Sequence, residues 1–297
     1  YTTLFRSVRR RAKRRDAFKS FFNNYLVKSK KSYTPQNIGE LKNDYDLFIS
    51  GSDQVWSPRC VGFDPAYFLT FADDRQKYSY AASFAVPTLP DEFIDEYKKR
   101  LNGFQKFSVR EPSGEKLVKE LTGRTAETHL DPTLLISADE WKKIAVSKID
   151  KPYILIFTAN PAVSLVDFAL KLSKEKNLPV YCINDAPHPV SHGINYIVAP
   201  TVEEFVGCFK NAEYVVTNSF HGTAFSVIFN KNLFVEFKNK SGRNIRSEGL
   251  LKSLGIDREI VDGNCNETEI NWDIINAQLK TLGSKSKKYL SEIVNME

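Results

Sequence analysis

Asn218, Ser219 and His221 stand in "TNSFHGTAFSVIF" (217–229), where two cap-type polar residues and an imidazole lead directly into small and apolar residues. Histidine titrates nearest neutral pH, so an imidazole at a helix start can give or take a proton. The helix N–H groups and positive dipole end beside it favour an anion. His221 is therefore a candidate functional group; the competing account is an imidazole that only hydrogen-bonds a neighbouring loop. Three further polar clusters follow strand-like segments: Gly51, Ser52 and Asp53, with Gln54, after "YDLFIS"; Arg110 and Glu111 at the end of "FSVR"; and Asp131 after "THL". Arg110 offers a planar fork that binds phosphate or carboxylate in bidentate fashion. A salt bridge to Glu111 or Asp131 explains it nearly as well. Asp53 and Gln54 are polar groups at such a strand end, although Asp53 could cap the following turn. Asp131, ahead of a proline, reads as a turn residue.

The elements that must position these groups alternate in character. Strand-like "YDLFIS", "KYSYAASF", "KFSVR" and "THLDPTLLI" are separated by helical "DEFIDEYKKRL" and "GEKLVKEL". A second series runs "YILIF", "LVDFALKLSKEK", "PVYCI", "VEEFVGCFKNA", "EYVVTN", "GTAFSVIF", "LFVEF" and "IRSEGLLKSL". Capping boxes at Ser137 ("SADE") and Thr201 ("TVEE") fix two helix starts. The expected class is α/β with two Rossmann-like parallel-sheet domains: a basic amphipathic segment over 1–40, an amino-terminal domain over 41–148, and a carboxy-terminal domain over 149–297 with a closing C-terminal helix. Ligands of open parallel sheets bind beyond the carboxyl ends of the strands, where all four polar clusters fall.

Composition narrows the classes. With 297 residues, 42% hydrophobic and 12% aromatic, the chain can form two cores. No apolar run approaches the roughly 18 residues of a membrane span, which reads as cytoplasmic. Cys60, Cys182, Cys208 and Cys265 form no C-x-x-C pair, and the loop histidines His188 and His192 lack a ligand set, so no metal site is expected. His129 carries little weight. Residues 1–31 hold eleven basic side chains against Asp16 alone, although the whole chain is only +6. A nucleic-acid arm would look similar. Phe18, Phe21, Phe22, Tyr25 and Leu26 at helical spacing favour an amphipathic helix, with no nucleic-acid role and with peripheral contact to an anionic membrane at its inner face, or to a polyanionic polymer, left open.

Taken in order, "GSDQVW" (51–56), "SYAASF" (79–84), "SVRE" (108–111) with "SGEKL" behind it, "DPTLL" (131–135) and "TNSFHGTAFS" (217–226) resemble the polysaccharide pyruvyl transferase family. The resemblance implies a GT-B-like fold whose amino-terminal domain is incomplete here, since the family's first βα unit with its "N-x-G" turn is not seen and the single methionine is Met296. It implies transfer of the enolpyruvyl unit of phosphoenolpyruvate to two hydroxyls of a sugar in a cell-surface or exopolysaccharide, with a lipid-linked acceptor left open, as a cyclic ketal, with no cofactor beyond that donor. His221 would be catalytic; Arg110, Asn218, Ser219, Gly51, Ser52, Asp53 and Gln54 would bind substrate. Many family members carry an arginine where this chain has Ser219; Arg243, Arg246 or Lys231 could substitute for that cation, and any of them could equally be a solvated surface charge. Two alternatives stay open: a GT-B glycosyltransferase using a nucleotide sugar, and a non-catalytic saccharide-binding protein.

Overall fold

Apolar β-branched strands flanked by amphipathic helices must bury both sheet faces, and the chain does so twice. A computed structural model describes residues 2–59, 63–159, 162–183, 192–239 and 242–295, with side chains from residue 12 onward except in the short 238–243 hairpin. The contacts divide into two units: Tyr1–Lys28, Ile136–Ser247 and Gly255–Trp272 form the first, and Ser29–Leu135, Glu248–Leu254 and Asp273–Glu297 the second.

The second unit holds four short strands, β1 (Phe48–Ser50), β2 (Lys77–Ser79), β3 (Ser108–Val109) and β4 (Glu127–Thr128). β1 pairs parallel with β2 and β3 with β4, while parallel bridges Tyr78–Lys106 and Ala82–Val109 join the two pairs. Helices α2 (Ile94–Leu101) and α3 (Pro112–Thr122) pack against each other and on this layer. Its core centres on Trp56, fully buried among Phe68, Phe84, Phe104 and Phe107. The Trp56 indole N–H donates to Tyr67 O at 3.2 Å, so the tryptophan of "GSDQVW" is an anchor rather than a ligand contact.

The first unit is built on a five-stranded parallel sheet of β5 (Ile154–Phe157), β6 (Val180–Ile183), β7 (Ile194–Ile197), β8 (Tyr214–Thr217) and β9 (Asn232–Val235), in the order β7-β6-β5-β8-β9. Chain direction across the sheet reverses between β5 and β8, which is the switch point of a doubly wound fold. Around it lie α1 (Thr2–Tyr25), α4 (Ala138–Ile144), α5 (Val163–Lys176), α6 (Val202–Asn211), α7 (Phe220–Ile228) and the first turn of α8 (Ile245–Ser253). Ser137 and Thr201 cap α4 and α6, each accepting from the N–H three residues on; the reciprocal bond of a capping box is made at Thr201 by Glu204, whereas Glu140 pairs with Lys143 instead.

Two expectations about organisation need correction. The C-terminal helix α9 (Trp272–Val294) belongs almost wholly to the second unit, not to the carboxy-terminal domain. Tyr289 Oη donates to Ser79 O at 3.0 Å, Leu130 N donates to Ser286 Oγ at 3.1 Å, and Lys106 pairs with Glu292. The buried rings of Tyr78 and Tyr80 give α9 an apolar seat there. The basic amino-terminal helix, read as a separate segment over 1–40, groups through residue 28 with the first unit and packs on α6, where Ala17 is buried.

Candidate functional site

In the first unit the site is built where β8 ends. Thr217 Oγ1 donates to Phe157 O at 2.6 Å and accepts from Ser219 N at 3.0 Å, so the last residue of β8 is tied to the last of β5. Asn218 Oδ1 accepts from Ala159 N at 2.9 Å, bridging the same switch point. Ser219 then caps α7 by accepting from Gly222 N at 3.4 Å. Gly222 has to be glycine: a Cβ there would lie 2.2 Å from Thr217 Oγ1 and 3.0 Å from Thr217 Cβ.

A second helix start is fastened to the first. Asn244 Nδ2 donates to Asn218 O at 3.0 Å and to Ser247 Oγ at 2.9 Å. The Asn244 Oδ1 accepts from Ser247 N at 3.4 Å, capping α8. Thr223 Oγ1 donates to Ser219 O and lies 3.2 Å from Ser247 Oγ. Asn244 and Ser247 are buried, at 4% and 0% exposed. Two positive helix ends thus meet at the carboxyl edge of one sheet, an arrangement suited to an anion. Sequence reasoning missed Asn244 and Ser247; the sole signal was the cap-type "NIRS" spacing ahead of "EGLLKSL".

His221 lies in the first turn of α7, half-buried, with its ring 5.4 Å from that of Phe220. Arg246, also half-buried, lies in the first turn of α8 and so at the same edge. Asn218 and Ser219, by contrast, are 2% and 7% exposed, and Asn218 Oδ1 and Ser219 Oγ each accept from a backbone N–H. Through these bonds they position the turn. Lys231 stands at the amino end of β9, the opposite edge from His221, and burial lowers its pKa; it cannot stand in for the arginine. The side chain of Arg243 and all of His188 lie outside the described residues; His192 is exposed.

The other cluster occupies the second unit. Gly51, at φ 121°, brings its Cα so close to the next strand that a Cβ would meet Tyr80 O at 2.1 Å. Ser52 Oγ donates to Asp131 Oδ2 at 2.7 Å. Arg110 Nη1 donates to the same oxygen at 2.9 Å, and Nη2 to Asp53 Oδ1 at 3.2 Å. Asp131 Oδ1 accepts from both Thr133 N and Thr133 Oγ1, the expected turn. The expectation that Arg110 offers its fork to an anionic donor is therefore corrected: its side chain is 1% exposed and both Nη atoms hold carboxylates. Glu111, the other carboxylate considered for it, accepts from Ser83 Oγ and Ala85 N. Asp53, 61% exposed at φ 64°, and half-buried Gln54 remain on the surface of this cluster.

His129 is buried beside β4, sharing a 2.9 Å hydrogen bond between Nδ1 and Ser108 Oγ, with its ring 4.5 Å from that of Tyr289. Burial, then Lys285, pushes its pKa below the usual histidine range. Among the described residues no group of three or more His, Cys, Asp or Glu side chains could hold a metal ion, and no helix is long and apolar enough to cross a membrane.

The family model described as polysaccharide pyruvyl transferase matches residues 2–235. The chain belongs to this family. No curated protein matches it. Among solved structures, UDP-GlcNAc 2-epimerase of Methanocaldococcus jannaschii in complex with UDP-GlcNAc and UDP shares 13% identity over 94% of this chain and 88% of that one, with a TM-score of 0.55. The UDP-GlcNAc 2-epimerase of Neisseria meningitidis bound to UDP-GlcNAc shares 10% over 95% and 84%, at 0.52. At such identities the likeness is one of fold, and it places this pyruvyl transferase family member in the GT-B-like α/β class.

Proposed function

We propose that the chain transfers the enolpyruvyl unit of phosphoenolpyruvate to two hydroxyls of a saccharide, leaving a cyclic pyruvate ketal and phosphate. The observation that carries this reading is the pair of helix starts at His221 and Arg246, fastened to each other through Asn244 and Asn218. The α7 and α8 ends and Arg246 would hold the anionic donor, and His221 would deliver a proton to its methylene carbon. Protonation leaves an oxocarbenium-like centre at the neighbouring carbon, which one sugar hydroxyl attacks with loss of its proton. Phosphate departs with the electrons of its C–O bond, and the second hydroxyl closes the ring and loses its proton. No metal or cofactor enters this scheme.

The test is turnover with phosphoenolpyruvate and candidate saccharides, free and lipid-linked. His221→Gln keeps a hydrogen-bonding group but cannot give up a proton near neutrality, so turnover should fall roughly 10²- to 10⁴-fold with donor affinity largely kept. Wild-type turnover in that variant would end the proposal. A second reading has one observation in its favour: the epimerases that share the fold are seen with UDP-GlcNAc or UDP. Thermal stabilisation by UDP and not by phosphoenolpyruvate would select a nucleotide-sugar enzyme; stabilisation by neither would select a saccharide-binding protein.

A further inference from the structure

The helix α1 packs on α6 through one side only. Ala17 is buried and Phe21 half-buried, whereas Phe18, Phe22, Tyr25 and Leu26 are each 44–46% exposed. At 3.6 residues per turn these four fall within an arc of about 100°. Arg14, Arg15 and Lys19, all exposed, fall on or beside the same arc. Asp16, Ser20 and Asn23 take the remaining polar side. The basic side chains are interleaved with the rings: Arg14 lies 5.7 Å from the centroid of Phe18 and Lys28 5.9 Å from that of Phe22. Val27, just beyond the helix end, is fully exposed.

We propose that this face of α1 is a docking surface for an anionic lipid bilayer. Several apolar side chains held in solvent on one arc need an apolar environment, and on or beside that arc stand Arg14, Arg15 and Lys19, against a single acid in the helix, Asp16, which lies off the arc 3.5 Å from Arg15. A helix of that kind lies in the plane of the interface, with rings at the acyl boundary and cations among acidic headgroups. Lys and Arg stems reach outward from beside the rings while their heads stay in the headgroup layer. A protein partner with an apolar groove would cover the rings but would leave this density of cations unexplained. Docking there would hold the first unit beside lipid-borne saccharides, and it does not depend on which donor that unit takes.

The chain would be sedimented with vesicles of phosphatidylcholine containing phosphatidylglycerol and with vesicles of phosphatidylcholine alone. Binding should require the anionic lipid and weaken with added salt. Reversing two charges in R14E/R15E should lower the partition coefficient roughly 30-fold or more, at about 1 kcal/mol for each basic residue lost from the surface. F18S/F22S should lower it at least about tenfold. Both pairs are exposed, so each variant should keep the wild-type melting curve, which controls for folding. The proposal is overturned if either variant binds anionic vesicles as well as wild type. Equal binding to both vesicle types also overturns it, as does a concentration-dependent dimer abolished by F18S/F22S with no vesicle binding, which would assign the face to a second copy of the chain.

Discussion

Replacing Arg110 by methionine separates a positioning role from a ligand-binding one. The guanidinium holds Asp131, 3% exposed, and Asp53, 61% exposed. Removing one partner of a buried pair typically costs about 3–5 kcal/mol, because the remaining charge is left without compensation. Here Asp131 keeps Ser52 Oγ, Thr133 N and Thr133 Oγ1 as donors, and the methionine keeps part of the packing. The expected loss is therefore near the lower limit, about 3 kcal/mol, or roughly 6–12 °C in melting temperature for a domain of this size. Asp53→Ala removes only the exposed arm of the network and should cost no more than about 1 kcal/mol. Combining Arg110→Met with Asp131→Asn should cost less than the two changes summed, since the second removes the charge that the first strands. Calorimetric or fluorescence melts of the wild type and these four variants, with and without phosphoenolpyruvate, read all of this. If Arg110→Met melts with the wild type and loses only the stabilisation by phosphoenolpyruvate, the fork serves the ligand and the reasoning is refuted.

Gly222→Ala should destabilise the chain by about 1–3 kcal/mol, because the new methyl meets Thr217 Oγ1, which cannot turn away without releasing Phe157 O and Ser219 N; an unchanged denaturation midpoint would show that the β8-to-α7 turn is looser than described. His129 has a folded pKa below its ordinary value of 6.5, so the unfolded chain takes up the proton first. Its contribution should be complete above about pH 6.5 and be lost as the pH falls toward the folded value. His129→Gln should flatten that part of the stability-pH curve, and an unaltered curve would exclude His129 as its source.

Much of this molecule is legible in one dimension. The βα alternation, the caps at Ser137 and Thr201 and the helix start at His221 are local properties: strand and helix periodicities and cap hydrogen bonds act over a few residues, so short windows contain them. The ordered motifs from "GSDQVW" to "TNSFHGTAFS" point to the polysaccharide pyruvyl transferase family for a related reason. They are the strand ends and turns that the fold brings to the carboxyl edges of its sheets. Strand β7 escaped because "INYI" is a four-residue edge with neither clean alternation nor a long apolar run. The rest is decided by contacts between distant residues. Whether Arg110 holds a ligand or Asp131 could not be read from its type, since one fork serves both; its burial against an aspartate 21 positions away decides it. The seat of α9 depends on Tyr289 meeting Ser79, 210 positions earlier. The joining of two helix starts depends on an asparagine side chain crossing 26 positions from Asn244 to Asn218. Sequence by itself determined the elements, the family and the residues able to do chemistry. Tertiary structure decided which of those groups are consumed in holding the fold and which stay at its edge, because burial and pairing are properties of residues brought together from far apart.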